Sequence, residues 1–258
     1  MKYYTKDWYQ LMQGLHYVSG MKVVPDKEYT DEEIQTFYDA DLAEELEHDR
    51  KFHEEKGTAF DPEETVRCFE DFYQGIKTYA LNRYPGWARE TLDPRLIALN
   101  RIPQTPYCRL KELEDTSKAE FDKINAAAQA VLELQDIPSE IKAAFHFHDA
   151  DVLALRRKGK GVHLYLGCGE AWPAGEYLYQ KVIFQNVCFI DREKGLIFRK
   201  KRNENGFWES KNIYLYDELY RTEYGYEVHM LLWSVKGLRY LTIGCEDILF
   251  EDNVMPDF

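Results

Sequence analysis

Hydrophobic and polar positions along the chain follow two periods, and the change from one to the other falls near the middle. After Thr30, the residues Ile34, Phe37, Tyr38, Leu42 and Leu46 recur at steps of three and four among acids, which predicts a helix with one apolar stripe. Thr30-Asp31-Glu32-Glu33 has the spacing of a capping box and marks the start, and the pattern runs to about His53. Asp61-Pro62-Glu63-Glu64 opens a second helix, with Asp61 as N-cap and Pro62 where a missing N–H costs nothing. That helix carries Val66, Phe69, Phe72, Tyr73, Ile76 and Tyr79 and is ended by Tyr84-Pro85-Gly86. Asp93-Pro94 predicts a short helix to Asn100, and Ser117-Lys118-Ala119-Glu120 caps another to about Gln135. Within the latter, Ala126-Ala127-Ala128 allows close approach of a neighbour.

From about Phe145 the period drops to two, with glycine turns at short intervals. Strands are predicted at Phe145 to Arg156, Gly161 to Gly167, Leu178 to Ile190, Leu196 to Lys200, Tyr226 to Ser234, Leu238 to Ile243 and Ile248 to Glu251. Lys236-Gly237 fits a tight hairpin, because glycine supplies positive φ. Short strands with turn-length links favour an antiparallel sheet over a parallel βαβ layout. The expected class is α+β: an acidic helical region over 1–143 and an antiparallel β domain over 144–258, a sandwich or open barrel.

Composition sharpens this division. The chain has 258 residues with 46 Asp and Glu against 33 Lys and Arg, a net charge of −13. Residues 1–140 hold net −12 and residues 141–258 only −1. Binding to a phosphate backbone needs a basic surface, so the acidic half argues against nucleic acid or an anionic membrane as partner and is compatible with a basic protein. No apolar run approaches the length of a membrane span. The charged, aromatic opening Met1 to Trp8 lacks the apolar core of a secretory signal, so a cytoplasmic location is expected. The five cysteines are scattered and include no Cys-x-x-Cys pair, which points to reduced thiols.

The sharpest candidate chemistry is His146-Phe147-His148-Asp149-Ala150-Asp151. On a strand, His146 and His148 share one face while Asp149 and Asp151 share the other, and two imidazoles on one face suit a divalent transition metal. A third ligand would come from His163, Glu170 or His229. The metallo-hydrolase pattern is broken, since Ala150 stands at its aspartate position, and no cofactor is expected. His146, His148 and Asp149 remain the candidate binding residues, with the histidine pair as the only metal candidates.

Other clusters read as surface. Glu44, Glu45, Glu47, His48, Asp49, His53, Glu54 and Glu55 form a charge run in which Glu44 and His48 are one turn apart while His48 and His53 diverge. Gly167-Cys168-Gly169-Glu170 fits a turn with no base to activate its thiol. The basic run from Arg199 to Arg202 fits a solvated hairpin tip or a dock for the acidic half. The tyrosines between Tyr214 and Tyr226 fit either a recognition surface or a half-buried sheet face.

The opening Met1-Lys2-Tyr3-Tyr4-Thr5-Lys6-Asp7-Trp8-Tyr9, the acidic helix after it and the later His148-Asp149-Ala150-Asp151-Val152 resemble a bacterial family, of Gram-positive type, defined only as a domain of unknown function. The resemblance spans most of the chain, implies a bacterial cytoplasmic protein and brings no activity or site residues. The strand pattern of the tail also resembles small bacterial domains found near toxin-immunity genes. Taken together, the expected function is non-enzymatic binding of another protein, immunity-like in character. The alternative is a metal-dependent enzyme, such as a hydrolase, built on His146 and His148.

Overall fold

Helices followed by strands is the order found in the computed structural model, which describes residues 1–171, 176–196, 198, 200–202, 208–210 and 212–255, with backbone only along 169–171, 176–177, 200–202 and 208–210. The helices are α1 (Lys6–Gln13), α2 (Asp31–Lys56), α3 (Pro62–Tyr79), α4 (Gly86–Thr91), α5 (Pro94–Ala98), α6 (Gln104–Leu134) and α7 (Ser139–Ala144). Strands β1 (Lys22–Val24) and β2 (Arg101–Pro103) form a small parallel pair. The remaining strands are β3 (Asp151–Lys158), β4 (Gly161–Ala171), β5 (Glu176–Gln185), β6 (Phe189–Arg192), β7 (Lys200–Arg202), β8 (Trp208–Ser210), β9 (Ile213–Thr222), β10 (Gly225–Ser234), β11 (Gly237–Cys245) and β12 (Asp247–Asp252). Two compact units result: Leu11–Glu120, and Met1–Gln10 together with Phe121–Phe258.

In the helical unit the local start signals act as read. Thr30 Oγ1 accepts from Glu33 N at 3.3 Å, and the Glu33 carboxylate accepts from Thr30 N at 3.1 Å, closing the box. Gly57, at φ 66, ends α2 in the left-handed conformation. Asp61 accepts from Glu63 N and Glu64 N at 3.0 and 3.3 Å to start α3. The helix expected from Ser117 instead begins at Gln104 and passes through Ser117 without a break. Its cap comes from far away in sequence: Asp26 accepts from Thr105 N at 2.9 Å and from the Thr105 hydroxyl at 2.7 Å. Pro106 lies in the first turn, where no N–H is required. Burial is divided between two small clusters, one around Tyr84, Ala88, Leu92, Ile102 and Leu110, the other around Ile34, Tyr73, Leu96 and Leu99.

The β unit is α+β in the expected sense, with one eight-stranded antiparallel sheet ordered β12-β5-β4-β3-β9-β10-β11-β6. The sheet is open and does not close into a barrel. Strands β3 and β9 meet through a single residue pair, Asp151 with Ile213, so the sheet is divided there into two halves. One core draws on both halves, with Val152, Leu164, Val182 and Phe184 from one and Tyr214, Val228, Met230 and Ile243 from the other.

The β10–β11 turn is Val235-Lys236, and Gly237, at φ 82, closes it. At the β9–β10 turn, a Cβ on Gly225 would lie 2.3 Å from the Cys245 carbonyl oxygen, so only glycine fits.

Three strand boundaries differ from expectation. The strand predicted from Phe145 starts at Asp151, because 145–150 form a turn in which Phe147 and Ala150 are buried and Asp149 has φ 65. The run from Leu178 to Ile190 is cut by Asn186, at φ 44, into β5 and β6. Strand β9, the strand of its half-sheet that adjoins β3, covers the tyrosine stretch that pattern alone left between surface and sheet face. The strand expected at Leu196 to Lys200 falls partly outside the described residues. Among the described residues, no helix is long and apolar enough to cross a membrane.

Candidate functional site

The turn before β3 decides the fate of the histidine pair. Since 145–150 are not a strand, the period-two argument that set His146 beside His148 does not operate. His146 Nδ1 lies 2.9 Å from the Ala143 carbonyl, and its ring stacks on Phe147. His148 instead has Nε2 at 2.8 Å from the Tyr216 hydroxyl and Nδ1 at 3.0 Å from Asp149 Oδ2. Each imidazole therefore has its own protein partners.

The third-ligand candidates are placed elsewhere. His229 lies on β10 with Nε2 at 2.9 Å from Glu227. His163 lies on β4, where burial and then the nearby lysines Lys158 and Lys181 lower its pKa. The side chain of Glu170 is outside what is described. Among the described residues, no three His, Cys, Asp or Glu side chains converge as a metal site.

Asp149, His148 and Tyr216 form a carboxylate–imidazole–hydroxyl chain. Burial, followed by the neighbouring Tyr9, Asp149 and Tyr4, pushes the Tyr216 phenol up to about 12. A nucleophilic phenol needs the opposite shift, so the chain pins the turn to β9 and keeps Tyr216 neutral. Cys168 is likewise raised, by burial and then by Asp252, which makes it a poor nucleophile. The basic run is not tested by these contacts: Arg199 lies outside the described residues, and only backbone is described for Lys200 to Arg202.

Two further features lie elsewhere. The first is a cleft of about 890 Å³ in the helical unit. One wall is α2, which presents Asp41, Glu44, Glu45, Glu47, His48 and Asp49; α3 and the end of α5 supply Phe69, Phe72, Tyr73 and Leu99. Part of the acidic wall is already engaged. Asp41 receives both terminal nitrogens of Arg101, one at 2.9 Å, and Arg101 also donates to Leu99 O at 2.8 Å and stacks on Phe37. Burial acts to raise the Asp41 carboxyl, but the hydrogen bonds and charge of Arg101 outweigh it and hold the carboxyl below its usual range. Asp49 accepts from the Thr65 hydroxyl at 2.9 Å. Lys22 and Lys51 are the basic residues of the lining, against five carboxylates.

A second depression of about 510 Å³ adjoins the cleft through the shared residues Phe72, Ala98 and Asn100, and adds Ile76, Tyr79 and Ile97. Phe72 is 62% exposed and Tyr79 69%. These two rings belong to the apolar residues that the sequence places along this helix, of which α3 buries Tyr73, together with Thr65.

The other feature is on β9, where adjacent carboxyls point to opposite faces. Leu231 pairs with Tyr216 and Leu232 with Tyr214, so a bulge at Leu215 shifts the alternation and turns Tyr214, Asp217 and Leu219 toward the core. Glu218, facing the other way, accepts the backbone N–H groups of Lys2, Tyr3 and Tyr4 at 2.7, 2.6 and 2.7 Å. Burial acts to raise Glu218, but the Tyr220 hydroxyl and those three N–H donors lower it overall. No motif signalled this pair, because the bulge that reorients Asp217 has no short sequence signature.

No family model, curated protein or solved structure matches the chain, so the geometry above is the basis for a functional reading.

Proposed function

We propose that the protein binds another protein, and that the helical unit receives a basic, amphipathic segment of that partner. The observation that carries this reading is the continuity of an acid-walled cleft with an apolar depression through Phe72. A partner helix with lysines or arginines on one side and leucines on the other matches both surfaces, with its charges on the α2 wall and its apolar side on Phe72, Ile76 and Tyr79. Large apolar rings exposed next to like charges are what a docking surface needs before its partner arrives. The charge balance of residues 11–120, with 14 Lys and Arg against 24 Asp and Glu, attracts such a partner at long range and repels polyanions. A cytoplasmic setting fits the five unpaired cysteines.

The test is a titration of the full chain with a lysine–leucine amphipathic peptide of about 18 residues, five helical turns. Binding is expected to weaken as salt rises, and to fall by about tenfold, or 1.4 kcal/mol, in a Glu44→Lys, Glu47→Lys double variant. Equal binding by wild type and double variant would remove the cleft from the account.

A further inference from the structure

The turn that carries His148 and Asp149 belongs to the β unit, and three aromatic rings of that unit lie beside it. Tyr9 of α1 has its ring centroid 6.4 Å from that of Tyr216 on β9, at 62°, and 6.4 Å from that of Trp233 on β10, at 42°. These rings are tilted walls, not a flat stack. On the buried side the packing is closed: Trp8, 3% exposed, meets Tyr216 edge-on at 4.6 Å and stacks on Phe121. Toward solvent it is open, since Trp233 is 44% exposed and Tyr9 is half-buried.

Asp149 brings a negative charge to the same place. Its Oδ2 lies 3.0 Å from His148 Nδ1, while the side chain as a whole is 73% exposed. The backbone holds it there: Asp149 N–H donates to Tyr214 O at 2.8 Å, and its φ of 65 is a left-handed conformation that Asp and Asn tolerate better than other side chains. His148 Nε2, 2.8 Å from the Tyr216 hydroxyl, ties the turn to one of the rings. The Tyr9 phenol feels the Asp149 charge after burial, and the Tyr216 phenol feels it after burial and Tyr9, so the carboxylate is within electrostatic reach of both. Lysines and arginines cover other rings, Lys6 that of Tyr240 and Arg221 that of Tyr226. Among the described residues, none stands over Tyr9 or Trp233.

We propose that Tyr9, Tyr216, Trp233 and Asp149 form a binding site for a small quaternary ammonium solute, a compound carrying a trimethylammonium group. A cation is attracted to an aromatic face when it stands within about 6 Å of the ring centroid, and rings 6.4 Å apart let one cation meet that condition for Tyr9 together with either neighbour. The class of cation follows from what the walls lack. Aromatic faces accept no strong hydrogen bonds, so a primary ammonium or a guanidinium would leave water behind for its N–H groups without replacement. A quaternary ammonium has no N–H to satisfy, and its methyl groups gain from contact with the rings. Asp149 then supplies the countercharge at longer range, where no hydrogen bond is required. The site lies in the β unit and does not depend on the peptide-binding reading of the helical unit.

The experiment is an NMR titration of the isotopically labelled full chain with choline chloride, followed at the Trp233 indole N–H, whose signal is identified by its loss in Trp233→Phe. Sodium chloride at equal concentration and 3,3-dimethylbutanol, the neutral compound with carbon in place of the choline nitrogen, serve as controls. The expected result is a saturable shift of the Trp233 signal with choline and none with either control. Asp149→Asn, which keeps the left-handed turn, is expected to weaken choline binding by about tenfold. Trp233→Ala is expected to abolish saturation transfer from the protein to the choline methyl protons; if that variant does not fold, Asp149→Asn and the neutral control decide. No saturable shift with choline, equal binding of the neutral compound, unchanged affinity in Asp149→Asn, or shifts confined to the helical unit overturns the proposal.

Discussion

The helical unit and the β unit solve the problem of burial differently. In the β unit, one core collects the inner faces of both half-sheets, including fully buried Phe184, Tyr214 and Met230. The helical unit divides its apolar residues between two smaller clusters and leaves Phe72, Ile76 and Tyr79 at the surface of its longest apolar stripe. Polar devices supply the rest of its order: the capping box of α2, the Asp61 cap of α3, the Asp26 cap of α6 and the Arg101–Asp41 pair. The difference teaches that aromatic rings on a helix face are not all core. Where a fold is held by caps and ion pairs, part of its apolar surface stays exposed.

Substitutions can break this comparison in order of size. Phe184→Ala, in the shared β core, is expected to cost about 3–5 kcal/mol in chemical denaturation, because it removes a large side chain from a closed interior. Asp41→Ala leaves the Arg101 guanidinium, whose side chain is 8% exposed, buried without its partner and is expected to cost roughly 3 kcal/mol. Phe72→Ala, at a ring that is 62% exposed, is expected to change stability by less than about 0.5 kcal/mol and yet to lower affinity for the basic peptide. A large loss of stability at Phe72 would place that ring in the core and erase the distinction between the units.

The two carboxyls that mark the units also respond to pH with opposite sign. Asp41 is held below its usual range, so its contribution is full above the ordinary carboxylate pKa and is lost as pH falls through the lowered value. Asp217 is held above it, so its contribution is present in acid and is lost as pH rises toward about 7.

Much of this architecture was legible in the sequence where the signal is local. Thr30 with Glu33, Asp61 with Pro62, and Asp93 with Pro94 started helices because each cap acts within three residues of itself. The α+β order followed from the change of period. What stayed hidden depends on distant partners. Asp26 caps α6 from 79 residues away, so Ser117 looked like a start when it lies inside a helix. The apolar spacing of α3 is the same whether a ring is buried or exposed, so the pattern alone did not separate Phe72 and Tyr79 from the buried Tyr73. His146 and His148 invited pairing only on the assumption of a strand, and the buried Phe147 and Ala150 show what the segment does instead: it turns to enter β3.

The most direct test of the central claim is hydrogen exchange on the full chain with and without the lysine–leucine peptide. The account predicts added protection within residues 41–80 and at the end of α5, with the β unit unchanged. Protection confined to the β strands, or absent from α2 and α3 at saturating peptide, would contradict it.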